Sequence, residues 1–276
     1  MELMAVAISL LGSNFNDASF LREGADPLLT GGTIHMFDFG NPACYPAQSS
    51  PINTSPSDIS PALRAGLVQV AGTFTWGGNG AIATGQSANR GFQWTNAAYD
   101  LDATQDGAHL LMCAWAKPDA ATLAAGALDA NVPVLYRIGD LAGARADNDT
   151  FLGIGMTPNA WSFLSGGISP TGHAFVPADL AVAQIAFEAF YEAGAGTLKV
   201  NCYKNGAKFS ERAATYVNWG APASAAVVIG KPAAGTNFFP WNGAVYRGFI
   251  EDVRASRIDV AEWIARDYAL NNGRFT

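Results

Sequence analysis

Apolar positions along this chain fall in short runs that alternate with polar ones at a period of two, and Gly, Pro, Asn or Asp closes most runs. That is the pattern of strands rather than helices. Leu67–Phe74 is the first such strand, and Gly77-Gly78-Asn79-Gly80 behind it supplies residues that tolerate positive φ in a tight turn. Phe92–Trp94 begins the next. Leu110–Ala116 is apolar on both faces, as a strand in the middle of a sandwich must be, and Pro118 stops it by removing a ladder donor. Val132–Ile138, Phe151–Met156 and Trp161–Leu164 continue the series. In the segment Ala181–Tyr191 two periods compete: Ile185, Phe187 and Tyr191 share a face at period two, while the alanines also suit a helix. Its neighbours favour a strand. Leu198, Val200 and Cys202 then alternate against Thr197, Lys199, Asn201 and Tyr203, and Asn205-Gly206 predicts a type I′ turn into Lys208–Ser210.

The period changes at the end. Tyr246–Val253 reads as a strand, whereas Val260, Trp263, Ile264 and Asp267/Tyr268 recur at helical spacing behind Asp259, an N-cap with Glu262 three residues on. Gly273 is placed to end that helix in the left-handed conformation. At the other end, Gly12, Gly24 and Gly31-Gly32 interrupt every apolar run, so residues 1–35 read as an irregular arm. Asn41–Pro61, rich in Pro, Ser and Asn, reads as a long surface connection rather than a core element. The expected organisation is an attachment arm over 1–35 and one domain over 36–276.

Composition narrows the class. The 276 residues are 49% hydrophobic with 30 glycines, 14 prolines and 14% charged residues, which suits one large all-β unit and excludes a coiled coil or a disordered chain. A formal charge of −7 with 16 Lys+Arg leaves no basic footprint for nucleic acid. Leu3–Leu11 is about half the length needed to cross a bilayer, and it follows Glu2 rather than a basic region. Neither a membrane nor a secretion route is expected. Cys44, Cys113 and Cys202 cannot all pair within the chain, and they read as buried thiols of a reducing compartment.

Three stretches carry a family resemblance. "HLLMCAWAKPDA" from His109 to Ala120, "LKVNCYKNG" from Leu198 to Gly206, and "IGKPAAGTNFFPWNGAVYRGFIEDVRASRI" from Ile229 to Ile258 resemble, in that order, strands and turns of the concanavalin A-like lectin/glucanase fold in its laminin-G-like form. The likeness covers roughly residues 65–272, within the size of one sandwich. It implies an all-β jelly roll of two antiparallel sheets, each apolar on its inner face, with a short C-terminal helix. It implies no activity, because this fold hosts lectins, hydrolases and adhesive modules alike.

Chemistry must therefore be sought in particular residues. Hydrolases of this fold resemble one another in a Glu-x-Asp-x-x-Glu strand, and this chain has none; Glu188 and Glu192 flank Phe190, and Glu251-Asp252 point to opposite faces. These read as solvated strand acids. His35, His109 and His173 are scattered and no Gly-x-Ser-x-Gly elbow occurs, so no triad is expected, and His109 reads as a structural polar residue. Asp100, Asp102 and Asp106 beside Gly107 approach a calcium loop but fall short in ligand number, as does Asp147-Asn148-Asp149. No metal, cofactor or catalytic residue is expected. Among seven tryptophans, Trp115 and Trp263 lie on apolar faces, while Trp76, Trp94, Trp219 and Trp241 sit near turns. Trp219, Trp241 and Asn242, in loops rich in Gly, Pro and Asn, are the expected contact residues.

An unsecreted chain with an irregular arm, an "FDFG" strand and a laminin-G-like sandwich resembles structural proteins of tailed-bacteriophage virions. That resemblance implies a non-enzymatic head-decoration, fibre or tail component assembled in the host cytoplasm. The arm would bind capsid or tail subunits, the chain would be a homo-oligomer, and the sandwich would display a face for host or surface glycans. The alternative is a carbohydrate-binding module; a glycan hydrolase ranks last.

Overall fold

The computed structural model describes residues 26–52, 56–61, 67–83, 90–95, 99, 107–124, 133–140, 150–165, 175–215, 225–231 and 241–275. The arm before residue 26, the Asp100, Asp102 and Asp106 run, the Asp147–Asp149 run, His173 and Trp219 lie outside the described residues. Two antiparallel sheets face each other. One contains, in spatial order, β13 (Ala207–Thr215), β12 (Thr197–Lys204), β11 (Ala183–Glu192), β6 (His109–Pro118), β15 (Gly243–Asp252), β4 (Gly80–Ala83) and β3 (Thr75–Gly77), with β1 (Thr33–Asp38) also on β15. The other runs β10 (Phe175–Pro177), β9 (Ala160–Leu164), β8 (Thr150–Thr157), β7 (Val134–Asp140), β14 (Ala225–Lys231), β5 (Arg90–Thr95) and β2 (Leu67–Ala71). Among the described residues helices are few: α1 (Ala120–Ala124), α2 (Val253–Ser256) and α3 (Val260–Asn271), with a 3₁₀ turn at Ala193–Ala195.

Alternation places the core between the sheets. Ile185, Phe187 and Ala189 of β11 are buried, and the Phe187 ring meets Phe163 of the opposite sheet at 5.6 Å. His35 and Phe37 of β1 pack on Trp94 and Tyr136 in the same space, and His35 Nδ1 lies 2.7 Å from the Tyr136 hydroxyl. Ala181–Tyr191 thus resolves as a strand, since its apolar face at period two is the one the core needs. The Asn205-Gly206 turn takes the expected form, with φ of 50° and 82°. Asp259 caps α3 by accepting from the Glu262 amide at 3.0 Å, and Gly273 leaves the helix at φ 84°.

The long connection differs from its expected surface course. Cys44, Tyr45 and Ile52 are all buried, and Ile52 exchanges both backbone hydrogen bonds with Phe74 in an isolated antiparallel bridge. Apolar side chains spaced through a polar run are enough to draw it against the sandwich. All three cysteines are buried thiols.

Beyond the core, α3 lies across the outer face of the eight-stranded sheet. Tyr268 stacks on Trp115 at 5.6 Å, and Asp267 accepts from Trp115 Nε1 (2.7 Å), Gln184 Nε2 (2.7 Å), Asn271 Nδ2 (3.0 Å) and Arg247 Nε (3.0 Å). Arg247 also holds Asp38 at 3.2 Å and Asp26, so the segment before β1 is tied to β15 and α3 through one buried guanidinium.

A second buried acid sits nearby. Glu251 is fully buried and its Oε1 accepts from the Thr30 hydroxyl. Burial pushes its carboxyl above the ordinary carboxylate range, against the hydrogen bonds of Thr30, Ser256 and Thr33. A carboxyl raised in the folded state binds more protons folded than unfolded, so its contribution to stability falls as pH rises from the ordinary carboxylate value through the folded one. Glu251→Gln is therefore expected to raise the melting temperature at pH 7 and leave it nearly unchanged near pH 3, below the ordinary carboxylate range, where Glu251 is protonated in both the folded and the unfolded chain. Scanning calorimetry at the two pH values checks this; equal shifts at both would refute it.

Candidate functional site

On β11 the residues alternating with the core set are Gln184, Ala186, Glu188 and Phe190, which face outward. Helix α3 covers one end of this row: Gln184 is fully buried and donates to Ile264 O at 3.0 Å. The far end stays half open. There Glu188 sits opposite Leu111 of β6 and Asn201 of β12, while Phe190 sits opposite His109 and Lys199.

Register brings three donors onto one carboxylate. His109 Nε2 lies 2.7 Å from Glu188 Oε1, and Oε2 accepts from Asn201 Nδ2 at 2.8 Å and from the Tyr203 hydroxyl at 2.7 Å. The side chains of His109 and Glu188 keep 23% and 11% of their exposure, so the cluster is open to solvent at its rim. Burial pushes the Glu188 carboxyl up, but hydrogen bonds from His109, Asn201 and Tyr203 outweigh it and hold the group below the usual range. An ionised Glu188 only accepts, so His109 carries its proton on Nε2. Burial, and then the Glu188 carboxylate itself, push the Tyr203 phenol well up, which keeps it a protonated donor.

Around this centre lie groups with contact area. The Phe190 ring meets His109 edge-on, with centroids 5.4 Å apart at 86°, and Phe190 is half-buried. Lys199 pairs with Glu192 at 2.9 Å. The result is a fixed charged acceptor, an amide and two rings on one shallow face. A carboxylate has about four lone-pair directions; the three donors leave one for a ligand hydroxyl.

Sequence reasoning took Glu188 and Glu251 for solvated strand acids, and the structure corrects both: Glu188 is held by three donors and Glu251 is fully buried. His109, expected as a structural polar residue, is one: it holds the Glu188 carboxylate across the β6–β11 pair. The signal that could have found the cluster is the outward alternation of His109, Glu188, Asn201 and Tyr203, but cross-strand register was needed to join them. Of the expected contact residues, Trp241 is 2% exposed and stacks on Trp161 at 5.6 Å. Asn242 is buried beside it, its backbone N–H donating to Thr122 Oγ1 at 3.0 Å and its backbone carbonyl accepting from Asp119 N at 3.1 Å. Neither belongs to the outer-face cluster. Trp94 is buried in the core, and Trp76 packs against its edge. Among the described residues, no group of three or more His, Cys, Asp or Glu is arranged to hold a metal ion, and no helix is long and apolar enough to cross a membrane.

No family model matches this chain, and no curated protein matches it. Solved structures do. A Trypanosoma rangeli sialidase in complex with 2,3-difluorosialic acid superposes with a TM-score of 0.56 at 14% identity, over 90% of this chain and 35% of that one. The sialidase in complex with sialic acid gives 0.55 at 13% identity, over 98% and 39%. The carbohydrate-binding module CBM40 of a Ruminococcus gnavus sialidase, bound to α2,3-sialyllactose, gives 0.38 at 12% identity over 58% and 83%, a likeness too slight to bear on the site. The chain thus spans well under half the length of the sialidases it matches, and at this identity the likeness is one of fold. Architecturally it is the two-sheet sandwich expected. The expectation of a chain without activity is corrected by the same finding: sialidases, which are enzymes, share its fold, so the missing Glu-x-Asp-x-x-Glu pattern does not by itself exclude activity.

Proposed function

We propose that this chain is a carbohydrate-binding sandwich and that it contacts a glycan through the outer face formed by His109, Glu188, Phe190 and Asn201. The observation that carries this reading is the pre-organised Glu188 carboxylate, held by three donors at 2.7–2.8 Å beside a half-buried aromatic ring. Sugars present hydroxyl donors next to apolar C–H faces, and recognition needs a fixed acceptor with a ring within one sugar's width. Because the acceptor is oriented before the ligand arrives, little ordering entropy is lost on binding. The fold likeness to sialidases supports a glycan as the general class of ligand, without bearing on whether that glycan is acidic or neutral, and nothing in these likenesses bears on a virion component.

Phe190→Ala tests the reading with small structural cost, since the ring is partly exposed at the surface of the sheet. Against a panel of immobilised oligosaccharides, the native chain is expected to retain at least one, and the variant to bind it about tenfold more weakly, the ~1.4 kcal/mol of one stacked ring. Unchanged thermal melts would show that the loss is local. Failure of the native chain to retain any glycan would overturn the proposal. The same samples, assayed for released sugar, report whether binding leads to turnover.

A further inference from the structure

The charges around Glu188 say more than that a sugar docks there. Resting on the carbohydrate-binding reading, we infer that the ligand is a neutral oligosaccharide and that the Glu188 carboxylate excludes sugars carrying a carboxylate of their own.

Register defines the face. Three outward rows cross it: Leu111, Glu188, Asn201 and Glu211; His109, Phe190, Lys199 and Ala213; and Cys113, Ala186, Tyr203 and Lys208. The lysines in these rows are already spent. Lys199 Nζ lies 2.9 Å from Glu192 Oε1, and Lys208 Nζ lies 2.8 Å from Glu211 Oε2. From the helix packed beside them, Asp259 at the α3 N-cap adds a further negative charge that bears on Tyr203. The donors pointed at Glu188 are an imidazole, an amide and a phenol, of which the amide and the phenol are uncharged at neutral pH. Protonation of His109 would spend its charge on the same Glu188 oxygen.

An incoming carboxylate would therefore meet Glu188 before any unpaired cation in these rows, with the negative field of Asp259 reaching the same cluster through Tyr203. In a half-buried site two like charges a few ångströms apart repel far more strongly than in bulk water, and a tenfold penalty needs ~1.4 kcal/mol. A neutral sugar meets the opposite situation: its hydroxyls donate to the remaining lone pair of Glu188 and accept from Asn201, and its C–H face lies on Phe190 and His109. Specificity here comes from a repulsive element built into the same group that binds.

The experiment is a calorimetric titration of the full chain with two pairs of free oligosaccharides, lactose against α2,3-sialyllactose and N-acetyllactosamine against its sialylated form, at 50 mM and 500 mM NaCl. Neutral members binding at least tenfold more tightly at low salt, with the gap narrowing at high salt as the repulsion is screened, is the expected result. Equal affinities, or preference for the sialylated members, would overturn the inference while leaving the carbohydrate-binding reading standing. No heat from any sugar, with an empty glycan panel, would overturn both. Glu188→Gln keeps an acceptor oxygen and removes the charge. It is expected to collapse the ratio of neutral to sialylated affinity about tenfold; an unchanged ratio in a variant with a native melt would assign the discrimination elsewhere and refute the role given to Glu188.

Discussion

Arg247→Met is expected to lower the unfolding free energy by about 3–5 kcal/mol, the cost of removing one partner from a buried ion cluster. Arg247 is fully buried, and three carboxylates converge on it: Asp267 at 3.0 Å, Asp38 at 3.2 Å and Asp26 on the outer nitrogens. Burial works against its charge, and the three aspartates outweigh that and hold the guanidinium well above its ordinary value. Met conserves most of the volume, so packing changes little and the loss is electrostatic. Without the guanidinium, Asp267 keeps Trp115, Gln184 and Asn271, and Asp38 keeps Arg274 at 2.8 Å. Asp26 has no such second cation among the bonds described. Urea unfolding followed by tryptophan fluorescence reads the change; a midpoint within error of the native one would show that the cluster contributes nothing net.

The same cluster bears on the chain before β1. Asp26, Thr30 and Thr33 contact Arg247 or residues at the end of β15, and His35 is in the inter-sheet core. Residues 26–35 are integrated with the sandwich in the structure, so a truncation that probes an attachment role for the arm needs to stop before Asp26.

Local signals in the sequence were sufficient for most of the architecture. The continuous apolar run of β6, the alternation in β12, the Asn205-Gly206 turn and the Asp259 cap each depend on residues within a few positions, where propensity and sterics decide. Other features depend on distant partners. His109 and Glu188 meet because β6 and β11 pair antiparallel, and Glu188 stays accessible because α3 covers the Gln184 end of the row instead. Trp241 stands in a loop whose Gly, Pro and Asn content suggests exposure, yet the Trp161 ring is waiting behind it. Arg247 looks like an ordinary polar strand position until Asp26, Asp38 and Asp267, spread over the chain, are brought round it. Periodicity shows which residues share a face; it does not show which faces are later covered.

Gly243→Ala is expected to be nearly as damaging as loss of Arg247, for a steric rather than an electrostatic reason. Gly243 opens β15, where the strand pairs with β4 on one side and β6 on the other, and its φ of 129° lies in a region that side chains avoid. A Cβ there would sit 2.9 Å from the Asp119 nitrogen and the Pro118 Cα, and closer still to the Lys117 carbonyl. Each of these is backbone in the turn from β6 into α1, so no side chain can swing away to make room. A left-handed penalty of ~1–2 kcal/mol and overpacking of ~1–3 kcal/mol together give about 3 kcal/mol. Two other glycines separate the two causes. Gly107 has φ 77° with nothing within 4 Å of a Cβ, so Gly107→Ala should cost only the backbone penalty. Gly194 has neither constraint, and Gly194→Ala should be neutral or slightly stabilising by restricting the unfolded chain. Thermal melts of the three variants are expected to rank Gly194, Gly107, Gly243 in increasing loss. A Gly243→Ala melt no lower than that of Gly107→Ala would mean that the β6–α1 turn moves aside freely, and that the junction holding β15 between its neighbours is softer than its contacts imply.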